Sequence, residues 1–418
     1  MTHSGEAGGL PGRLTDWVSL GVLASSVPRD AVDAAIAVHG RGAKRSDGKL
    51  PPHVMVYFVL AMALFAGEDY EEVAARLAGT LAGWGCWDSA WTVPTSGGIT
   101  QARQRLGAEP LAELFGQVAV PVAGQLTRGA FLGPWRLMAI DGFEWDAPDT
   151  AANVAGFGYG GSAGHATPFP KVRVVTVSEC GSHAVVDAEM GGTKAAEQAM
   201  ARVLYRRLEP GWLLLADRNF YSFADWQAAA DGGAELLWRV TSRLGLPVLE
   251  VLPDGSWRSV LISPKIHREQ TRARLTGQAR AGQPLDPGQA VPVRVIEYDV
   301  PDRDGSGTGE TIRLITTISD PAAAPAPVLA QTYHQRWEHE TGNDQIKTCL
   351  RGPGRVLRSK RPDMVRQEIY GYLLAHYAIS ALICRAATEA DIDPDRVKFL
   401  RTVRVVRRAL ADPAAFSP

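Results

Sequence analysis

The sequence predicts an α/β protein in which a mixed sheet covered by helices is preceded by an all-α segment and interrupted by a β-rich insertion. Three observations predict it. Apolar residues recur at three- and four-residue spacing from Leu14 to Gln125. After Gly133, apolar and alternating strand-like runs take over, the later ones separated by helical stretches. Alternation then returns from Leu244 to Ile318.

The first stretch has few β-branched runs and is broken at Pro28, Pro51–Pro52 and Pro94. Within it, Asp69 to Leu77 reads as a short amphipathic helix. Ser96 to Gly107 reads as a second, opening with hydroxyl and glycine residues suited to an N-cap. Two such helices suggest a helix-turn-helix relative. The connection from Ala78 to Thr95, carrying Trp84, Trp87 and Trp91, is however longer than the turn of three to four residues in the simplest form. On the second helix, Thr100, Gln101, Arg103, Gln104 and Arg105 either face a DNA groove or form the solvated side of a bundle helix. Arg103 and Arg105 are the candidate DNA contacts.

Beyond Gly133, Trp135 to Asp141 is an apolar strand ending in a carboxylate, and a Gly-rich loop is expected from Ala155 to Gly164. Lys171 to Val177 and His183 to Met190 alternate and are joined by Cys180-Gly-Ser, an antiparallel meander. A helix from Lys194 to Leu208, the strand Trp212 to Asp217, a helix from Phe223 to Ala230 and the strand from Leu236 to Val240 follow. Three antiparallel strands followed by helix-separated parallel ones are the ribonuclease-H-like order.

The insertion is carried by Val248 to Val251, Trp257 to Ile262 and Val291 to Tyr298, with turns at Asp254-Gly255 and Asp302 to Gly309. A long helix then runs from Pro325 to Thr348, and the remainder is helical. The expected units are thus an all-α DNA-binding domain over 1–128, a first core part over 129–243, the insertion over 244–320, and the core completion with basic C-terminal helices over 321–418.

With 418 residues, 45% of them hydrophobic, the chain can bury one large core or two to three smaller ones. Its formal net charge is -1, so no global field draws it to nucleic acid, and a DNA surface must come from local segregation of charge. The four cysteines lie far apart without zinc-ligand spacing, which argues against a disulfide or zinc framework. The polar, Gly-rich start lacks the pattern of a secretory signal. The apolar run from Val54 to Ala66 falls short of the roughly 20 residues that span a bilayer. A cytoplasmic protein without a membrane partner is expected.

Asp141 and Asp217 each end an apolar strand, from which a side chain can project into a cleft or simply cap the next turn. The long helix is more informative. Tyr333, Arg336, Glu340 and Lys347 lie at offsets 0, 3, 7 and 14, which puts all four within roughly 60° of arc on one face. An Arg336–Glu340 pair on a solvated stripe would be worth only about 0.2–0.5 kcal/mol. Leu329 on the same stripe and Trp337 beside it argue for a site instead. Three carboxylates brought together can hold two Mg²⁺ ions about 3.5–4 Å apart, one activating a water or 3′-hydroxyl and the other stabilising the leaving oxygen.

At these residues the chain resembles the DDE transposases of the insertion-sequence type four family. Tyr333, Arg336, Glu340 and Lys347 match that family's helix signature without a gap. Ala139-Ile-Asp141-Gly142 is similar to its first Asp motif and Ala216-Asp217-Arg218-Asn219-Phe220 to its second, Asn219 standing where Gly is usual. The resemblance implies a ribonuclease-H-like core with a β insertion before the Glu-bearing helix. It implies that Asp141, Asp217 and Glu340 are the catalytic metal ligands for two Mg²⁺ or Mn²⁺ ions, and that Tyr333, Arg336 and Lys347 hold phosphates of the transposon end. Arg218 of the second motif joins the DNA-binding set, and Trp337 either stacks on a flipped base or packs in the core.

Arg351, Arg355, Arg358, Lys360, Arg361 and Arg366, followed by Arg396, Lys398, Arg401, Arg404, Arg407 and Arg408, supply local positive charge that can meet DNA. His334 and His339 read as packing or surface residues, being turned roughly 100° and 240° from Tyr333. The expected function is metal-dependent cleavage at terminal inverted repeats and strand transfer to target DNA. A homodimer would synapse two ends, in the bacterial cytoplasm and on the nucleoid when DNA-bound. The alternatives are a transposase-derived DNA-binding protein without catalysis, or a hydrolytic nuclease of the same fold.

Overall fold

Proline sets the start of the first helices. Pro28 precedes α1 (Arg29–Val38) in extended conformation, and Pro52 occupies the first position of α2 (Pro52–Leu64), where no N–H partner is needed. α3 (Tyr70–Ala82), α4 (Ser96–Leu106) and α5 (Glu109–Val118) complete the all-α start. α4 is capped by a hydroxyl, but that of Thr95, one residue before the Ser96 expected to open the helix, its side chain accepting from Gly98 N at 3.2 Å. These elements belong to a computed structural model that describes residues 23, 25–43, 50–82, 92–162, 165–300 and 310–410. Trp84, Cys86, Trp87, Trp91 and the turn from Asp302 to Gly309 lie outside the described residues.

The strands are β1 (Phe131–Leu132), β2 (Trp135–Asp146), β3 (Tyr159–Ser162), β4 (His165–Glu179), β5 (Val185–Gly192), β6 (Trp212–Ala216), β7 (Glu235–Val240), β8 (Glu250–Val251), β9 (Trp257–Ile262), β10 (Ala290–Val300) and β11 (Glu310–Thr316). They form one sheet in the order β3-β4-β2-β6-β7-β11-β10-β9-β8, with β5 also paired to β4 and β1 to β2. β2, β6 and β7 are parallel and the other pairs antiparallel. This is the ribonuclease-H-like arrangement expected from the order of elements. Helices α6 (Ala151–Phe157), α7 (Glu197–Tyr205) and α8 (Phe223–Asp231) are interleaved with the core strands.

Several expectations are corrected. The Gly-rich stretch from Ala155 to Gly164 is not a loop throughout: α6 ends in it, and β3 pairs with the start of β4. The insertion carries a helix, α9 (Glu269–Arg280), whose weakly amphipathic sequence buries only Leu275. Its strands continue the core sheet, because β11 pairs with β7 from Thr316 opposite Leu237 to Arg313 opposite Val240.

The long helix is also divided. α10 (Ala326–Tyr333) and α11 (Arg336–Asp344) are separated at His334–Gln335, where bonds such as Gln335 N to Thr332 O span three residues and tighten the turn. A π-helical turn over Gln345–Leu350 then loosens it. A constant 100° per residue therefore does not hold from Tyr333 to Lys347.

Alternation along the strands sorts side chains into two cores. Met138, Ile140, Leu214, Ala216 and Trp238 face α7 and α8, while Leu137, Ala139, Leu213 and Leu215 face Leu329 and Tyr333 of α10. A third core joins the N-terminal helices to α12 (Pro362–Glu389) and α13 (Phe399–Ala409), with a 3₁₀ turn at Pro394–Arg396 between them. α12 is long and apolar enough to cross a membrane by length and composition, but 72% of its apolar window is buried within the protein. It crosses α2 at Gly371, where a Cβ would lie 2.7 Å from the Val59 carbonyl oxygen, so only glycine allows the approach.

Candidate active site on the sheet

The register of β2 and β6 brings the two aspartates together. Arg136 pairs with Trp212, and the pairing continues in step to Ile140 opposite Ala216. Asp141 and Asp217 are the next residues on the two chains. Because Leu137, Ala139, Leu213 and Leu215 all face α10, both aspartates fall on that face too. β6 ends at Ala216, one residue short of the expected Asp217, and β2 runs on to Asp146, so Asp141 stands within a strand whose parallel partner has stopped.

Local hydrogen bonds hold both acids. Asp141 Oδ1 accepts from Gly142 N at 2.7 Å, and Asp217 Oδ1 accepts from Asn219 N at 2.7 Å, an Asx-type turn out of the strand. A Cβ after Asp141 would come 2.5 Å from Glu197 Oε1 at the start of α7, so any larger residue there would push the Glu197 carboxylate aside. Glu197 thus borders the site, and no sequence spacing pointed to it.

Glu340 arrives on α11. That helix is fastened to β4 by His339, whose Nε2 lies 3.2 Å from Thr176 Oγ1, and Thr176 is the residue opposite Asp141 in the β2–β4 ladder. Burial pushes His339 down to about 3, so it is a neutral packing residue. Arg336 joins the acids: Nη2 donates to Glu340 Oε1 at 2.8 Å, and Nη1 lies 3.8 Å from Asp141 Oδ2. Burial opposes the Arg336 charge, yet Tyr333, Glu340 and Asp141 hold its pKa above the ordinary value. Burial raises the Asp141 carboxyl to about 6, relieved by the Gly142 N–H and Arg336 and aggravated by the charges of Asp217 and Glu340.

The three acids therefore share one electrostatic neighbourhood, with a guanidinium between two of them. Their oxygens are not gathered tightly: among the described residues, the group of three whose ligand atoms all lie within 4.8 Å is His183, Glu338 and Asp395. As a donor set, the three carboxylates fit a hard divalent cation, which would relieve the repulsion that Arg336 now relieves.

The other candidate residues divide. Trp337 is 58% exposed, its ring 5.6 Å from the Arg336 guanidinium carbon, so it is not a core residue. Arg218 and Arg105 are exposed, and Lys347 Nζ lies 5.9 Å from the Phe143 ring. Two expectations are corrected. Tyr333 is buried in the α10 core with its hydroxyl donating to Ala216 O at 3.4 Å, because the tightened turn after it removes it from the open face. Arg103 is 1% exposed and binds Gln367, Tyr70, Ser359 and the Met364 carbonyl, so it braces α4 against α3 and α12 and does not face DNA.

The C-terminal basic run is likewise mixed. Arg358 caps α2 by donating to Glu68 O and Met62 O, and Arg351 is buried against Trp145. Arg351, Arg355, Arg407 and Arg408, with Arg76, line a recess of about 460 Å³.

Models of two known protein families match the chain. The model described as "Insertion element 4 transposase N-terminal" matches residues 17–116, and "Transposase DDE domain" matches residues 134–378. The transposase InsG for insertion sequence element IS4 of Escherichia coli (strain K12) is 28% identical over 375 residues, covering 88% of this chain and 78% of its own length. A solved piggyBac transposase synaptic complex with hairpin DNA covers 95% of this chain and 79% of that chain, with a TM-score of 0.46 and 9% identity.

Proposed function

We infer the working of the site from one premise: the chain belongs to the transposase DDE-domain family, with the insertion element 4 transposase N-terminal domain ahead of it, and is an enzyme of DNA cleavage and strand transfer. Our reading is that Asp141, Asp217 and Glu340 are the residues of that chemistry. The observation carrying it is the β2–β6 register, which leaves two aspartates side by side under the helix that bears Glu340. These acids would hold the family's divalent ions, two Mg²⁺ or Mn²⁺ in our reading. When bound, such ions lower the pKa of the attacking hydroxyl or water and stabilise the leaving oxygen.

The chain's own residues supply the rest. Arg336 holds Asp141 and Glu340 in register before substrate arrives, and its guanidinium can pass to a phosphate of the DNA end. Trp337, exposed beside it, offers a face for an unstacked base, and Lys347, Arg218 and Arg105 supply further cations toward the backbone. The arginine-lined recess suits a phosphate farther along the duplex. We further propose that the DNA comprises the terminal inverted repeats and the target, that two copies of the chain pair the two ends, and that the protein acts in the bacterial cytoplasm and nucleoid.

The test uses DNA carrying one element end, with and without Mg²⁺. The wild-type protein nicks the end and, with a target present, yields strand-transfer products. Asp141→Asn, Asp217→Asn and Glu340→Gln lose nicking by at least about a thousandfold, equivalent to about 4 kcal/mol of barrier, while still binding the end. Nicking that persists in any of the three would remove that residue from the proposed set.

A further inference from the structure

Glu338 lies two residues before Glu340 and so about 200° round the helix from it. It lines a separate recess of about 280 Å³, together with His183, Gln345, Asp395 and Lys398. His183 Nε2 is 3.0 Å from Asp395 Oδ1 and 3.9 Å from Glu338 Oε2. The three ligand atoms all lie within 4.8 Å of one another. They come from the turn between β4 and β5, from α11, and from the 3₁₀ turn ahead of α13.

One of these atoms has no partner in the fold as it stands. Glu338 Oε2 is buried and makes no hydrogen bond, a costly state for a polar atom that an ion would resolve, while the buried His183 Nε2 faces Asp395 Oδ1 at 3.0 Å. The side chains of His183 and Glu338 are 11% and 15% exposed, whereas Asp395 is 48% exposed and leaves one open side. Asp393, which accepts from Asp395 N at 3.0 Å, adds a further negative group. The other ring nitrogen of His183 is held by Gln345 at 3.1 Å, as second partners of ligating histidines are.

We propose that His183, Glu338 and Asp395 bind a zinc-type divalent cation at a site separate from Asp141, Asp217 and Glu340. One imidazole and two carboxylates balance a double charge, and the imidazole favours zinc or cobalt over magnesium. Three protein ligands leave a fourth position for water on the open side of Asp395. With Nε2 on the ion, Nδ1 carries the ring proton and donates to the Gln345 amide oxygen, which requires the amide to be turned over, its nitrogen then donating to His376 Nε2 where its oxygen now lies at 3.1 Å. Bound there, the ion ties the start of the C-terminal helix to the helix that carries Glu340.

The experiment needs no DNA. The full chain carrying Asp141→Asn and Asp217→Asn, which weakens the first centre, is titrated with Co²⁺ in excess Mg²⁺ and followed by visible absorption, and with Zn²⁺ by calorimetry. One equivalent binds, and Zn²⁺ raises the thermal midpoint. Adding His183→Ala or Asp395→Asn abolishes both effects, and Gln345→Ala weakens binding by about 10–100-fold. Asp395 is half-exposed, so its variant decides the matter if His183→Ala does not fold. Absence of binding under excess Mg²⁺, or binding unchanged by Asp395→Asn, overturns the site.

Discussion

At the scale of single residues, Asp141 and Trp337 of the proposed site lead to opposite expectations for stability. Burial has raised the Asp141 carboxyl to about 6, so its charged form is disfavoured in the folded chain. A raised acid stabilises the fold where it stays protonated and loses that contribution as pH rises through the folded value. Without divalent ions, Asp141→Asn should therefore gain about 2 kcal/mol at pH 8, a difference that vanishes below about pH 4 in urea unfolding. A loss of stability at pH 8 would contradict the burial argument. Trp337, 58% exposed, predicts the opposite profile. Trp337→Ala should change stability by less than about 0.5 kcal/mol while weakening binding to DNA with an unpaired end base by about 1–3 kcal/mol. Calorimetry and a binding titration on the same preparation separate the two effects.

Elements decide how much of this could be read from the chain. The strands leading to Asp141 and Asp217 were legible because apolar runs reaching a carboxylate are local patterns, although β2 runs on past Asp141 to Asp146, and the Arg336–Glu340 pair was legible from its four-residue spacing. Arg103 and Tyr333 were not. An arginine on the polar side of an amphipathic helix carries no mark of whether another helix will cover it, and α12, which covers Arg103, lies some 260 positions away. Tyr333 was misplaced because three-residue hydrogen bonds at His334–Gln335 change the helical phase, and the sequence there holds neither proline nor glycine to announce it. Arg103→Ala should leave Gln367, Ser359 and the Met364 carbonyl short of a partner and cost about 3 kcal/mol. Its thermal midpoint should fall, while DNA affinity below that midpoint stays unchanged; a selective loss of affinity with an unchanged midpoint would return Arg103 to the DNA face.

Over the whole molecule, the cores connect what the sequence divides. N-terminal helices pack on α12 and α13, and the insertion extends the core sheet through β11. Deleting 250–316 should expose the β7 edge and give aggregated protein, which size-exclusion chromatography would report; a monodisperse product would show the insertion to be dispensable for the sheet. His376 is buried in α12 and held near 3 by burial, then by His183 and His339. Its neutral form is the folded one, so stability is intact above pH 6.5 and declines as pH falls from there toward 3, at up to about 1.4 kcal/mol per pH unit. His376→Leu should flatten that decline between pH 6.5 and 5, as denaturant midpoints would reveal.

The step-for-step pairing of β2 with β6 has a wider consequence. Main-chain bonds fix the last paired residues, Ile140 and Ala216, at the strand spacing of about 4.8 Å one residue before the two aspartates, whatever side chains surround them. Drift in neighbouring amino acids can then run far without altering that interval. A single-residue insertion within 212–216 would instead carry Asp217 to the opposite side of the sheet, so such chains should tolerate substitution there far better than a change in length.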